Sequence, residues 1–111
     1  MFWKDIINIL QRSVPSGSIT TYGEISARAY GTSNYDRPVR SMLSCARNKG
    51  FHQLANRVVG FDGKLAGLAD ESDQQRQQLL NEGILFTIDG KVDLAKTIPV
   101  VLGKGRLSEA P

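Results

Sequence analysis

The segment from residue 34 to residue 48 constrains the fold most strongly, because its side chains separate into two faces when successive residues are placed about 100° apart. One face is apolar and the other is basic or small: Pro38, Val39, Met42, Leu43 and Ala46 lie on the first, Arg37, Arg40, Ser41, Ser44, Arg47 and Asn48 on the second, and Cys45 at the border. This pattern predicts an amphipathic helix that Ser33 or Asn34 caps and whose first turn tolerates Pro38. One side of such a helix packs on a core, and the other side faces solvent or a partner.

Basic charge is concentrated around this helix, although the net charge of the 111-residue chain is only +3. The stretch from Arg37 to Phe61 contains five basic residues and no Asp or Glu. A stretch of one sign in the middle of a domain is typical of a surface that faces a polyanion such as DNA or RNA. A solvated basic face without a partner is the alternative, and charge alone leaves both interpretations open.

Two helices are predicted before the basic one. A first helix from about residue 3 to residue 14 is indicated by apolar residues at helical spacing: Phe2, Ile6, Leu10 and Val14. Thr21 and Glu24 fit a capping box, in which the Glu carboxylate reaches back to the cap, and Gly31 ends this short second helix. Two short helices joined by a tight turn, the second of them basic, are typical of a helix-turn-helix.

Turn signals dominate the second half of the chain. Residues 57–65 combine a valine pair with an Asp-Gly turn, which predicts a β-turn or a small hairpin. Ser72 and Gln75 fit a second capping box, which predicts a helix that opens there and runs to Glu82. The stretch 84–94 predicts another hairpin, with alternating apolar residues on one face: Ile84, Phe86 and Ile88.

The predicted fold class is therefore α+β and mostly helical, namely a winged helix-turn-helix DNA-binding domain with small β-hairpins. A chain of 111 residues suffices for one compact domain and is too short for two. We expect this domain to span residues 1–102. Residues 103–111 lack apolar periodicity, which predicts a loose C-terminal tail.

Composition excludes several classes of site. With one cysteine, Cys45, and one histidine, His52, the chain has neither an internal disulfide nor a cluster of metal ligands, so we expect no metal and no cofactor. Apolar runs fall far short of the roughly 18 residues that cross a bilayer, and the N-terminus lacks the pattern of a signal peptide. We therefore expect a cytoplasmic protein without a membrane partner, associated with the nucleoid if the source is bacterial.

A series of sequence motifs in four segments resembles the motifs of one known family. VPSGSITTYGEIS (residues 14–26) resembles a segment of O6-alkylguanine-DNA alkyltransferases written Pro-x-Gly-x-x-x-Ser/Thr-Tyr-Gly-x-(Ile/Leu)-Ala, and YDRPVRSML (residues 35–43) resembles their recognition helix. QLANRVVGFDGKLAG (residues 53–67) resembles their reactive loop with its Asp-Gly turn and glycine-containing continuation, and LLNEG (residues 79–83) resembles their Leu-Leu-x-x-Glu-Gly. The similarity covers about residues 2–94, and the motifs occur in the family's order.

The resemblance implies that the recognition helix binds the minor groove of DNA and that a damaged guanine is extruded from the duplex. By match of motif, Tyr22 and Arg37 assist the extrusion, and Arg37 fills the gap in the base stack. Arg40 replaces a small residue of the family, and we expect it to contact a phosphate. The implied DNA surface comprises Tyr22, Arg37, Arg40, Ser41, Ser44 and Arg47. The implied lesion pocket comprises Tyr22, Leu43, Leu54, Ala55, Asn56, Arg57, Gly67, Leu68 and Ala69.

The reactive-loop motif lacks the residue on which alkyl transfer depends. The family reads Pro-Cys-His-Arg-Val where this chain reads Leu54, Ala55, Asn56, Arg57 and Val58. Dealkylation requires a thiolate that displaces guanine O6 from the alkyl carbon, and a His that helps to deprotonate it. Since neither is present at the matching positions, the chain resembles the alkyltransferase-like proteins. The resemblance implies a monomeric non-enzyme that binds double-stranded DNA containing O6-alkylguanine and signals to nucleotide excision repair proteins. The family's Glu, here Glu82, is retained, and we expect it to lie near Arg57 instead of orienting a His.

Two other functions stay open at this point. The same scaffold suits a sequence-specific winged-helix regulator whose basic helix reads base edges. An alkyltransferase that uses Cys45 is the weakest alternative, because a cysteine near the apolar border of a helix is ordinarily a small packing residue.

Overall fold

In the computed structural model, residues 3–65 and 69–103 are described, with side chains in the last helix described from Ser72 onward. Five helices and two very short strands occur in these ranges: α1 (Trp3–Ser13), β1 (Thr20–Thr21), α2 (Tyr22–Tyr30), α3 (Asp36–Asn48), α4 (His52–Ala55), β2 (Val58–Val59) and α5 (Ala69–Asn81). The predicted α+β, mostly helical class is confirmed.

Helix α1 forms the base on which the first half of the chain packs. Its apolar residues Ile6 and Leu10 are completely buried, as is Val14 just beyond its end. The helix packs against α3 and α4, and its inward face joins the main core cluster with Ile25 and Val39. The 3.6-residue spacing of these residues places them on one stripe, which explains why the predicted helix is confirmed.

The predicted cap of α2 is confirmed, but only one of its two expected hydrogen bonds forms. The Thr21 hydroxyl accepts a hydrogen bond from the Glu24 backbone N–H at 3.1 Å, and Gly31 ends the helix with φ +81°. The Glu24 carboxylate does not reach back to the cap. It accepts a hydrogen bond from the backbone N–H of Leu102 at 2.9 Å, so this side chain ties α2 to the end of the described chain.

Helix α3 begins later than the sequence predicts. Its N-terminal flanking residue is Tyr35, which makes no side-chain cap, so the predicted caps Ser33 and Asn34 are wrong. A side chain of α2 supplies the missing support instead, since the Ser26 hydroxyl accepts a hydrogen bond from the Tyr35 backbone N–H at 3.0 Å and donates one to the Thr32 carbonyl. The turn between α2 and α3 is thus fixed from within the helix pair.

The two faces of α3 are largely as predicted. Val39, Leu43 and Ala46 are completely buried, and Met42 packs partly against the same cluster. Pro38 departs from the prediction because it is exposed. It lies in the first turn of the helix, where its neighbour Val39 takes the position that faces the core.

The valine pair forms a parallel strand pair instead of one arm of a hairpin. Thr20 is paired with Val58, and Thr21 with Val59. The following residues form a closed turn, in which the Gly60 N–H donates to the Lys64 carbonyl at 2.9 Å. The prediction of a turn is therefore confirmed, whereas β2 pairs with β1, which lies much earlier in the sequence.

Helix α5 starts at Ala69, so the predicted start at Ser72 is wrong. Gln75, expected to complete a cap, is instead completely buried. Its side-chain amide donates to the carbonyls of Asn56 and Val58, each at 3.0 Å. A polar residue in this place is stable because these hydrogen bonds replace those it would make to water.

The hairpin predicted at residues 84–94 reduces to a single antiparallel bridge between Phe86 and Val92. The Thr87 N–H donates to the Lys91 carbonyl at 2.8 Å, which closes the turn. Ile84 is buried and belongs to a second core cluster, whereas Ile88 is fully exposed. The prediction that Ile88 shares the inward face is wrong, because the chain already turns at Thr87.

The last described residues run along the start of β1. The Val100 N–H donates to the Ile19 carbonyl at 2.7 Å, and the Thr20 hydroxyl donates to the Val100 carbonyl at 2.9 Å. The predicted tail lies outside the described residues except for Gly103, so its looseness stays a prediction. Within the described ranges, none of the helices combines the length and the apolar character that crossing a membrane demands.

Candidate nucleic-acid interface

The outward face of α3 presents the residues that the sequence predicts for DNA contact. Arg37, Arg40, Ser41 and Ser44 are all exposed. The serine side chains are short, so the surface between the two arginines and the end of the helix does not project far. Arg47 differs from the other two arginines because it is half-buried and bonded within the protein.

A cavity of about 540 Å³ opens beside this face, between the starts of α2 and α3 and the turn after β2. Its size falls in the range typical of small-molecule sites. Both charged and apolar side chains line it: Tyr22, Gly23, Ser33, Asp36, Arg40, Gly60, Phe61, Asp62, Lys64 and Leu65. Arg40 belongs both to the exposed face of α3 and to the cavity wall, so the two features are continuous.

Tyr22 lines the cavity although it is nearly buried. Its side chain is only 5% exposed and packs with Ile25, Leu43 and Val58 in the main core. The Arg40 guanidinium lies over its ring, 4.4 Å from the ring centre, which is cation–π geometry. The phenol ring is thus shielded by the core and by Arg40.

The turn of residues 60–64 forms the opposite wall and is anchored at several points. Asp62 accepts a hydrogen bond from the Lys64 N–H at 3.1 Å and pairs with the Lys91 ammonium at 3.3 Å. The Lys64 N–H, followed by Lys91, holds the pKa of the Asp62 carboxyl below its ordinary value. The Val92 N–H donates to the Gly63 carbonyl at 2.9 Å, which joins the turn to the residues that follow α5.

Phe61 stands at the tip of this anchored turn, and its side chain is 88% exposed. The sequence pattern predicts only a turn in this segment and assigns Phe61 no role. The available signal is an aromatic residue at a turn position inside the stretch without acidic residues.

Ala55, which the resemblance matches to the family's cysteine, lies at the end of α4 and is completely buried. It belongs to the main core cluster with Leu43 and Val58, and Leu54 packs partly against that cluster. Leu43, Leu54 and Ala55 are not among the described residues that line the cavity. Of the predicted pocket residues, Tyr22 is therefore the one that the described part of the chain places at this cavity. Leu43, Leu54 and Ala55 lie in or against the core, and Asn56 lines a different cleft.

Asn56 is held by hydrogen bonds at both ends of its side-chain amide. Its Oδ1 accepts a hydrogen bond from the Arg47 Nε at 3.3 Å, and its Nδ2 donates to the Gln78 side-chain oxygen at 2.9 Å. Arg47 also donates to the Ala55 carbonyl at 3.4 Å. These bonds join α3, α4 and α5 on the side of the molecule that carries a second, amide-rich cleft.

Glu82 lies near Arg57, as expected, and the two side chains form a close ion pair. The Arg57 Nη2 lies 2.8 Å from the Glu82 Oε2, and both side chains are nearly buried. Burial raises the pKa of Glu82, but hydrogen bonds from Arg57, Gln78 and the Gly17 N–H outweigh it, so the pKa lies below its ordinary value. Arg57 also donates to the Val14 carbonyl at 3.3 Å, which fixes the loop before β2 to the end of the first helical segment.

Three predicted pocket residues cannot be placed in this site. Gly67 and Leu68 lie outside the described residues, and Ala69 is described only as the first residue of α5. Their role in a pocket stays a prediction.

Comparison with known proteins identifies relatives over most of the chain. The family profile described as "6-O-methylguanine DNA methyltransferase, DNA binding domain" matches residues 1–84. A protein of Escherichia coli (strain K12) named "DNA base-flipping protein" is 31% identical over 84 residues, which are 76% of this chain and 64% of that protein. A protein of the same name from Vibrio parahaemolyticus is 35% identical over 83 residues, which are 75% of this chain and 81% of that protein.

A third relative carries the name of an enzyme. The "Methylated-DNA--protein-cysteine methyltransferase" of Methanosarcina acetivorans is 32% identical over 90 residues, which are 74% of this chain and 51% of that protein. The chain thus spans just under two thirds of the Escherichia coli relative and about half of this one. Because the family profile covers residues 1–84 of 111, the chain belongs to the family of 6-O-methylguanine DNA methyltransferase DNA-binding domains.

Proposed function

We propose that this chain is a non-enzymatic DNA-binding protein that extrudes O6-alkylguanine from the duplex, holds it, and marks the site for nucleotide excision repair. The observation that carries the proposal is the continuity of two features. The exposed basic face of α3 and the cavity share Arg40, so a base extruded from DNA on that face would enter the cavity without crossing the protein surface.

Contact with DNA in this proposal is made by α2 and α3 as a helix-turn-helix. Helix α3 is the recognition helix, and the bridge between Phe86 and Val92 marks the base of a short wing. Arg37 and Arg40 supply positive charge, and the low surface at Ser41 and Ser44 lets the helix approach the groove. The family membership and the names of the two bacterial relatives support this assignment.

Arg37 is the residue that we assign to the gap left in the stack. Extruding a base costs a few kcal/mol of stacking and pairing, and least where the pair is already damaged. The Arg37 side chain is exposed in the first turn of α3. A planar guanidinium in that position can stack between bases while its charge stays near phosphate.

Absence of alkyl transfer in this proposal follows from the residues at the matching positions of the motif, Ala55 and Asn56, and from the lack of a thiol among the described residues that line the cavity. A methyl side chain cannot accept an alkyl group, and a carboxamide cannot serve as the base for a thiol. The Asn56 amide is moreover engaged by Arg47 and Gln78. Cys45, the alternative nucleophile, is half-buried in α3 and is not among the described residues that line the cavity.

The experiment that tests the proposal is a paired fluorescence-anisotropy titration of matched duplexes with and without O6-methylguanine. We expect tighter binding to the modified duplex, with log affinity falling against log salt by about 0.9 for each phosphate neutralised. Intact-mass measurement after incubation should show an unaltered chain. Equal affinity for the two duplexes, or a methyl adduct on the protein, would contradict the proposal.

The sequence-specific regulator is separated from this function by a different measurement. Selection from a random pool of unmodified duplexes would recover a consensus if α3 read base edges. We expect no consensus, because two of the five exposed residues on this face are serines with short side chains. A strong consensus together with equal binding of the paired duplexes would identify a regulator.

A further inference from the structure

Phe61 is highly exposed and also lines the cavity, which distinguishes it from an isolated phenylalanine on a protein surface. Single exposed apolar side chains are common on protein surfaces and need no explanation. Phe61, however, is 88% exposed and lines the mouth of the cavity. Within the described residues, no ring or guanidinium is stacked on it, although Tyr22 on the opposite side is covered by Arg40.

The turn that carries Phe61 is closed by backbone hydrogen bonds. The Gly63 N–H donates to the Gly60 carbonyl at 2.9 Å, and the Gly60 N–H donates to the Lys64 carbonyl at the same distance. Asp62, next to Phe61, is bonded to Lys64 and to Lys91. The ring therefore projects from a closed and externally anchored turn, so that binding a ligand on it orders the two torsions of the side chain and little of the backbone.

The surroundings of the ring favour a planar ligand attached to a polyanion. Arg40 and Lys64 bring positive charge to the cavity wall. Of the two carboxylates there, Asp62 is already paired with Lys91, and Asp36 faces the cavity from the first turn of α3. A nucleobase presents a flat π-face to an aromatic ring, and its backbone presents phosphate to the cations.

We propose that Phe61 stacks on the face of the extruded base and is a specificity-determining residue of the lesion site. The inference rests on the proposed function. It assigns the base two walls of different chemistry, the Phe61 ring at the mouth and the Arg40 guanidinium that lies on Tyr22. Stacking on Phe61 adds affinity only when a base leaves the duplex, so it contributes to discrimination more than to general DNA binding.

The test is the paired titration with Phe61→Ala, Phe61→Leu and Phe61→Tyr. A stacking contact is expected to lower the affinity for the O6-methylguanine duplex by about 5- to 100-fold in Phe61→Ala, with little change for the unmodified duplex. Phe61→Leu should lose most of this affinity although it keeps apolar bulk, whereas Phe61→Tyr should retain it. Ile98→Ala is the matched control, because Ile98 is 78% exposed and does not line the cavity.

A spectroscopic measurement reports the stack directly. In F61W, indole fluorescence should be quenched more by the modified duplex than by the unmodified one, with the wild-type signal of Trp3 as background.

The failure of this inference can be distinguished from the failure of the proposed function. If the wild-type protein discriminates but Phe61→Ala discriminates equally well, the inference is overturned and the proposed function stands. An equal loss of affinity for both duplexes would place Phe61 outside the lesion site. A wild-type protein without discrimination would overturn both.

Discussion

The Arg40 guanidinium lies over the Tyr22 ring at 4.4 Å from its centre, and the two side chains share one wall of the cavity. A cation–π contact of this kind contributes about 0.5–2 kcal/mol, depending on solvent access. Since both side chains line the cavity, a ligand there would contact the Arg40 guanidinium as well as the accessible part of Tyr22. Arg40 of α3 is thus both an exposed surface charge and part of the cavity wall.

Replacing Arg40 should reveal which of these two actions dominates in DNA binding. In Arg40→Ala we expect affinity for both duplexes to fall and the slope of log affinity against log salt to become shallower by about 0.9, the value for one phosphate contact. Anisotropy titrations at several salt concentrations measure both quantities. Arg12→Ala, which removes an exposed arginine of α1, should leave the slope unchanged. An unaltered slope in Arg40→Ala would mean that Arg40 acts only as a wall.

Arg37 should control discrimination between the duplexes. Arg37→Ala is expected to reduce the ratio of affinities for modified and unmodified DNA by at least about fivefold, because nothing then stacks in the vacated space. Arg37→Lys keeps the charge but loses the planar group, so it should lower the ratio while the salt dependence is maintained. Full discrimination in Arg37→Ala would mean that another residue fills the gap in the base stack.

Features that depend on near neighbours in the chain could be predicted from the sequence. The Thr21 cap needs only the backbone N–H of Glu24, three residues later. The end of the helix at residue 31 needs only a residue that can adopt φ +81°, and this residue is Gly31. The buried face of α3 follows from spacing alone, since Val39, Leu43 and Ala46 lie on one stripe.

Features that depend on distant partners could not be predicted in this way. A two-residue strand has no periodicity, so Val58 gives no sign that it pairs in parallel with Thr20. The capping-box pattern at Gln75 is misleading because its amide is needed by the Asn56 and Val58 carbonyls. The position of Phe61 at the cavity likewise arises from three segments that only the fold brings together.

The Arg57–Glu82 ion pair should make stability depend on pH. Because the pKa of Glu82 is lowered below its ordinary value of 4.5, the unfolded chain binds this proton more readily than the folded chain. The contribution of the pair is therefore complete well above pH 4.5 and is lost as the pH falls through the lowered pKa. Glu82→Gln should lose about 3 kcal/mol of unfolding free energy at neutral pH, and the difference from wild type should shrink in acid.

Urea unfolding of the wild type and Glu82→Gln at several pH values measures this difference. Asp73→Asn, which neutralises an exposed carboxylate of α5, serves as the control. A difference between wild type and Glu82→Gln that stays constant from neutral pH into acid would show that the charge of Glu82 is unimportant.

Gly63 should be intolerant of any side chain. It has φ +88°, and a Cβ there would lie 2.4 Å from the Val92 carbonyl oxygen. Gly63→Ala should therefore lose at least about 2 kcal/mol of stability, since backbone strain and a clash with backbone act together. Gly50→Ala is a matched control, because Gly50 has φ +95° and a Cβ there would meet nothing within 4 Å. Equal losses in thermal or urea unfolding of the two variants would show that the close approach to Val92 is relaxed without cost.

Introducing a thiol at position 55 should not produce alkyl transfer. In Ala55→Cys the new sulfur would lie in a site that is completely buried among Leu43 and Val58, and apolar burial disfavours the reactive thiolate. Asn56 cannot take the proton, and its amide is held by Arg47 and Gln78. We therefore expect no methyl adduct when Ala55→Cys is incubated with an O6-methylguanine duplex and its intact mass is measured. The double variant Ala55→Cys, Asn56→His supplies a base, but it removes both hydrogen bonds of the amide and is expected to lose stability. Methylation of the single variant would mean that the scaffold is competent for transfer and lacks only its sulfur.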